Sequence, residues 1–210
     1  MIKEYIGNIL SQPVPLELSL NPCSNQCSYC FSNLNGYQRK GNCKSVITFL
    51  NNYKDSNTIP ALYLADGYPI CFSNHSDPFA HSNYRESLLL LEIFSKLGID
   101  IFFQTKGGQG IEDALGIVKK SVWYFTICSD NESKMKTIEP GAPAVSERFK
   151  MIEKIISAGH DVIVGINPAV PQWIEGKEKE LLQKIKDYGV NRVVISPLHF
   201  STFQTKRVKN

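Results

Sequence analysis

Apolar and polar residues follow two different periods along this chain, and the two take turns. Leu16-Glu17-Leu18-Ser19-Leu20 alternates at period two until Asn21-Pro22 stops it, which predicts a strand. Ala61-Leu62-Tyr63-Leu64 leans toward β structure, Asp66-Gly67 marks a turn, and Ile70-Cys71-Phe72 resumes the β pattern. From Tyr84 to Leu97 the period becomes 3.6: Tyr84, Leu88, Leu91 and Ile93-Phe94 share a stripe, and Arg85, Glu86, Glu92 and Lys96 are left for solvent. The alternation continues with a strand over Asp100–Lys106, a short helix over Ile111–Lys120 and a continuous apolar strand over Val122–Cys128. A helix over Ala144–Ala158, a strand over Asp161–Ile166, a helix over Glu178–Tyr188 and a strand over Arg192–Ile195 complete the series.

Gly98, Gly159 and Gly189 each close one of these helices, with a strand beginning one or two residues later. That repeat predicts successive βα units and so a parallel sheet with right-handed crossovers. The six strands expected are too few for a closed eight-stranded barrel. They suit an open partial barrel or a doubly wound sheet, and periodicity alone does not choose between the two. One domain is expected over residues 1–210, with 1–15 as a lead-in and 200–210 as a basic tail.

Composition narrows the class. Hydrophobic residues make up 42% of the 210 and charged residues 20%, enough apolar surface for a core and too balanced for disorder. The net charge of +3 gives no independent support for a nucleic-acid partner, since such domains concentrate basic charge on one face. No apolar run approaches the ~20 residues needed to cross a bilayer, and the first residues lack the pattern of a secretory signal. A cytoplasmic setting is expected, with no membrane partner.

The six cysteines lie at 23, 27, 30, 43, 71 and 128, a poor disulfide framework for a chain of this length. Three fall in Asn21-Pro22-Cys23-Ser24-Asn25-Gln26-Cys27-Ser28-Tyr29-Cys30-Phe31, directly after the first strand. A short loop spaced C-x3-C-x2-C can wrap three thiolates around one face of an iron–sulfur cubane and leave the fourth iron without a protein ligand. With Cys43 recruited, the spacing C-x3-C-x2-C-x12-C could instead close a structural zinc site or a saturated cluster. Three uncommitted thiols in a loop are the remaining reading.

Cys23, Cys27 and Cys30, with Tyr29 before the last cysteine, resemble the signature of the radical SAM superfamily. The resemblance implies a (β/α)6 partial barrel of the TIM type, with the cluster loop after the first strand. It also implies a 4Fe–4S cluster on these three cysteines, with S-adenosylmethionine (SAM) on the fourth iron. Reductive cleavage of SAM then gives a 5′-deoxyadenosyl radical that abstracts hydrogen from substrate, the electron coming from a donor such as flavodoxin or ferredoxin.

A narrower resemblance, from about Leu16 to Pro171, is to the spore photoproduct lyase-like branch. It is carried by Ser73-Asn74-His75-Ser76-Asp77-Pro78-Phe79, by Gln104-Thr105-Lys106, and by Glu139-Pro140-Gly141 with Arg148. It implies SAM contacts from Ser76 and Asp77, from Lys106 to the SAM carboxylate, and from Arg148, which could take the carboxylate or hold Glu139; Ser129, by its place just after the fourth strand, is a candidate for the ribose. Tyr29 is expected on the adenine side, Asn167 is a weaker candidate there, and His75 could face substrate. The chain departs from the branch at Asn74, where the lyase has its hydrogen-donating cysteine, and at Phe31, where it has a tyrosine. Thymine-dimer repair is therefore not implied. Cys71 and Cys128 are candidates for a radical relay only if they face the barrel interior. The expectation is a radical SAM enzyme of unknown substrate. The alternatives are a related enzyme that modifies a peptide or nucleoside or activates a partner protein, and a non-catalytic iron–sulfur or zinc module.

Overall fold

The computed structural model describes residues 16–32, 42–72 and 75–198. The expected lead-in 1–15, Ser73, Asn74, His199 and the tail 200–210 lie outside these residues.

Six strands are present among the described residues: β1 (Leu16–Leu18), β2 (Ile70–Phe72), β3 (Ile101–Thr105), β4 (Val122–Thr126), β5 (Asp161–Ala169) and β6 (Val193–Pro197). They form one parallel sheet in which spatial order equals chain order. A doubly wound sheet reverses its order at a switch point, and this one never does. The chain is therefore an α/β partial barrel, the first of the two layouts that periodicity left open.

The helices are α1 (Cys43–Asn52), α2 (Ile59–Ala65), α3 (Tyr84–Leu97), α4 (Ile111–Ile117), α5 (Glu132–Ile138), α6 (Val145–Ser157), α7 (Pro171–Ile174) and α8 (Glu178–Asp187), with a 3-10 turn at Tyr53–Asp55. Helix α3 has the bounds expected from its stripe and ends on Gly98 at φ +70°, a left-handed backbone that costs a residue with a Cβ. Helix α1 starts where the Asn42 side chain accepts from Ser45 N, and α5 starts where Asn131 accepts from Lys134 N, each bond 3.1 Å long.

Register places Phe72, Phe103, Trp123 and Val162 in one row across four strands, facing the helices. Phe103 stacks on Trp123 at 4.0 Å between centroids, Phe79 covers Trp123, and Phe94 of α3 meets Phe72 edge-on. All five aromatics are fully buried, each worth roughly 1.5–3 kcal/mol of transfer free energy. The alternate residues Glu17, Cys71, Phe102, Tyr124 and Gly165 face the concave side. A side chain on Gly165 would lie 2.0 Å from the Tyr124 hydroxyl, so the missing Cβ lets that phenol fill the inside of the barrel.

Several boundaries differ from the sequence expectation. Ala61–Leu64 is helical, inside α2: Pro60 sits in the first helical turn, and Ala61, Tyr63 and Leu64 are buried. Strand β4 ends at Thr126, leaving Cys128 in the following loop, and β5 extends through a cis Asn167–Pro168 bond to Ala169, so Asn167 lies within it. Helix α4 stops at Ile117, short of Lys120.

Candidate functional site

The C-terminal ends of the strands surround an open pocket of ≈ 430 Å³, within the size range of ligand sites. The loop after β1 contributes Cys23, Asn25, Cys27, Tyr29, Cys30 and Phe31. The β2 end supplies His75, Ser76 and Asp77, and the β3 end supplies Gln104, Thr105 and Lys106. Thr126, Asn167, Pro168, Pro197 and Leu198 complete the wall from β4, β5 and β6.

Asp77 fastens these ends together. Its carboxylate accepts from Thr105 Oγ1 at 2.7 Å, Lys106 N at 2.7 Å, Phe79 N at 3.0 Å and Asn25 Nδ2 at 3.2 Å. Burial pushes its pKa up against the hydrogen bonds from Lys106 N, Thr105 and Phe79 N, which favour the charged form. Ser76, also buried, accepts from Asn83 Nδ2 at 3.3 Å.

Beneath the pocket lies a second buried cluster. The Tyr29 hydroxyl donates to Glu139, whose other oxygen is 2.6 Å from Arg148 Nη1. Lys106 Nζ stands 3.6 Å from Glu139 and 5.4 Å from the centre of the Tyr29 ring. Cys128 Sγ is 3.3 Å from the Tyr29 oxygen and donates to the Asn167 carbonyl at 3.2 Å. Burial opposes the Glu139 charge, but Lys106 and then Arg148 hold its pKa below the usual carboxylate range. Burial likewise works against the Lys106 ammonium, and Glu139 with Cys27 more than compensates, so its pKa is raised.

The nine sequence-predicted site residues therefore part company. Cys23, Cys27, Cys30, Tyr29, Ser76, Asp77 and Lys106 all line the pocket. Ser129 does not: its hydroxyl donates to the Trp173 carbonyl at 2.7 Å and accepts from Asn131 N at 3.1 Å, bracing α7, whose Trp173 ring packs 5.4 Å from Tyr29. Arg148 is 1% exposed and holds Glu139 rather than the pocket, with further bonds to the Pro143 and Thr126 carbonyls. Cys71 faces the concave side, but neither it nor Cys128 lines the pocket, and both are buried. Glu17 was not among the residues the sequence singled out; it finds its partner, His75, through the fold, with no local spacing to announce it.

Glu17 meets His75 at the pocket rim. His75 Nδ1 is bonded to Glu17, Ser19 Oγ donates to the same carboxylate at 3.1 Å, and the imidazole edge packs on Phe31 at 5.3 Å. The Glu17 hydrogen bond raises the His75 pKa, against a smaller effect of burial. Because the folded value lies above the unfolded value of ~6.5, the pair's contribution is complete below that pH and disappears as pH rises through the folded pKa. Both side chains are about a third exposed (35% and 29%), so less than about 1 kcal/mol is involved. Glu17→Gln is expected to lower the His75 midpoint followed by NMR of the imidazole protons; an unmoved midpoint would show that the pair does not form in solution.

The donor set suits one kind of metal group. Burial pushes the Cys23 and Cys27 thiols up to about 11 and about 12, so they carry protons near neutrality until a cation displaces them. Around one tetrahedral zinc, thiolates at ~2.3 Å crowd together. Among the described residues no three His, Cys, Asp or Glu side chains converge in that way on a single ion. Three sulfurs spaced around one pocket match a cubane, where each binds a different iron. Cys43 is not among the pocket-lining residues; it opens α1, and burial and then Glu86 raise its pKa. The residues thus fit a three-cysteine cluster better than a four-cysteine one.

No protein-family description matches this chain, and no curated protein matches it. Solved structures do. Spore photoproduct lyase with bound AdoMet and dinucleoside spore photoproduct superposes at TM-score 0.68 and 15% identity, covering 95% of this chain and 61% of that one. SuiB of Streptococcus suis bound to S-adenosylmethionine superposes at TM-score 0.62 and 16% identity, covering 97% of this chain and 46% of that one. This chain therefore spans about half to three-fifths of the length of these structures, both radical SAM enzymes, and shares their partial-barrel fold. Among the described residues no helix is long and apolar enough to cross a membrane.

Proposed function

We propose that this chain is a radical SAM enzyme, with Cys23, Cys27 and Cys30 holding a 4Fe–4S cluster and the adjoining pocket binding S-adenosylmethionine. The carrying observation is that the three thiols of one loop share a pocket with the Lys106 side chain, at the strand ends where α/β folds assemble their sites. When bound, the pair of cofactors supplies one-electron cleavage of a sulfonium and hydrogen abstraction from substrate.

The protein's part is to bind and orient. Lys106, 13% exposed and only loosely held by Glu139, offers its ammonium to the SAM carboxylate. Ser76 offers a hydroxyl, and the Tyr29 ring forms the floor. Asp77 acts through its neighbours, since its oxygens already accept four hydrogen bonds from the protein. The remaining lining offers substrate neutral hydrogen-bonding groups from Gln104, Thr126 and Asn167 and one titratable group, His75. A flavodoxin- or ferredoxin-type donor in a reducing cytoplasm would supply the electron.

The structural neighbours include one holding a dinucleoside photoproduct and one holding a precursor peptide, so the shared fold serves different substrates. Here Phe31 stands at the rim against His75. The substrate is then something other than a thymine-dimer photoproduct, or a partner polypeptide.

Anaerobic reconstitution with iron, sulfide, dithionite and SAM tests the proposal. 5′-Deoxyadenosine is expected from the wild type and is expected to vanish in Cys27→Ala. A wild type that carries a cluster yet gives no 5′-deoxyadenosine would overturn it, as would a cluster requiring Cys43.

A further inference from the structure

The Glu139-Pro140-Gly141 turn and Arg148 bear on the cluster loop in a way that binding of SAM does not require. The turn grips the loop at two points: Ser28 N donates to the Ile138 carbonyl at 2.9 Å, and Gly141 N donates to the Asn25 carbonyl at 3.0 Å. Tyr29, between Cys27 and Cys30, reaches down to Glu139. Glu139 has no exposed side-chain surface and Arg148 has 1%, so this charge is held in place and shielded from water.

Within the triad the charges do not cancel; the Asp77 carboxylate, bonded to Asn25 of the same loop, is a separate charge that the variants below leave unchanged. One carboxylate faces two cations, and the pairing is unequal: Arg148 sits at 2.6 Å with its guanidinium also bonded to two backbone carbonyls, whereas Lys106 stands off at 3.6 Å. Arg148 thus neutralises Glu139, and Lys106 carries the surplus toward the thiols. We propose that the Glu139–Arg148–Lys106 triad is a positioning and tuning element that fixes one net positive charge behind the cluster loop and so sets how readily the cluster accepts an electron. Net charge and solvent exclusion are among the factors that place an iron–sulfur potential, and in a poorly screened interior a fixed unit charge acts over several ångströms.

This inference rests on the proposed three-cysteine cluster, and charge-altering variants separate the two. The full chain, reconstituted anaerobically without SAM, is titrated with redox mediators and followed by the EPR signal of the reduced cluster. Glu139→Gln raises the net charge of the triad and is expected to shift the midpoint to a less negative potential. Lys106→Met lowers it and is expected to shift the midpoint the other way. Glu139→Gln with Arg148→Met removes one charge of each sign and is expected to stay near the wild-type value. Wild-type midpoints in both single variants, with iron and sulfide content intact, would overturn the proposal and leave the triad a loop clamp. Should Glu139→Gln not fold, Lys106→Met decides alone, an unshifted midpoint overturning the proposal. A wild type that assembles no cluster would instead overturn the functional reading.

Discussion

Arg148→Met is expected to cost about 3–5 kcal/mol of folding stability, the loss typical of removing one partner from a buried ion pair. Methionine roughly preserves the packing volume, so the loss measures charge and hydrogen bonding rather than a cavity. Glu139 would stay buried with Lys106 at 3.6 Å as its remaining cationic partner, and the Thr126 and Pro143 carbonyls would each lose a donor. A loss of this size is a large share of the 5–15 kcal/mol typical of a domain. Adding Glu139→Gln to Arg148→Met should recover most of it, because replacing both members of a buried pair is often close to neutral. Urea unfolding of the metal-free chain measures both variants. A single variant within 1 kcal/mol of wild type would show that the pair is hydrated in solution.

Gly141→Ala is expected to act on the loop and spare the barrel. A Cβ there would lie 2.2 Å from the Ser24 carbonyl oxygen and 2.9 Å from Asn25 Cα, both backbone atoms that no side-chain rotation can clear. Backbone strain at residue 141 plays no part; the obstacle is space. Overpacking of this kind costs about 1–3 kcal/mol, and here it falls on the contact between the Glu139–Gly141 turn and the cysteine loop. At about 1.4 kcal/mol per factor of ten, docking of the loop should weaken roughly five- to 140-fold. Iron and sulfide content after reconstitution should fall while the far-ultraviolet circular dichroism of the strands and helices is retained. Full cluster content in Gly141→Ala would mean that the turn does not hold the loop.

The architecture was readable because it is local and repeated. Helix stripes, glycine stops and apolar strands recur at short range, so α3 and the later βα units could be placed from pattern alone. Ala61–Leu64 misled because four apolar residues suit either period, and the deciding signal was Pro60 just upstream. Helices α1 and α5 were marked only by a capping asparagine apiece, Asn42 and Asn131. At the site, the cysteine spacing and the strand-end positions of Ser76, Asp77 and Lys106 were visible in the chain. Their partners were not. Glu17 lies 58 residues from His75, and Glu139 lies 110 from Tyr29, so only tertiary packing brings them together. Ser129 follows the end of β4 and Arg148 lies in the first turns of α6, as expected, but a residue's place along an element does not say which way its side chain turns once α6 and α7 have packed.

The four hydrogen bonds on Asp77 have a thermodynamic consequence. They join the thiol-bearing loop to the ends of β2 and β3 as one stiff body, with donors from Asn25, Phe79, Thr105 and the Lys106 backbone. The ordering entropy that a mobile loop would surrender on meeting a small molecule is thus largely spent when the chain folds. More of each contact's free energy is then left for holding the guest in one orientation.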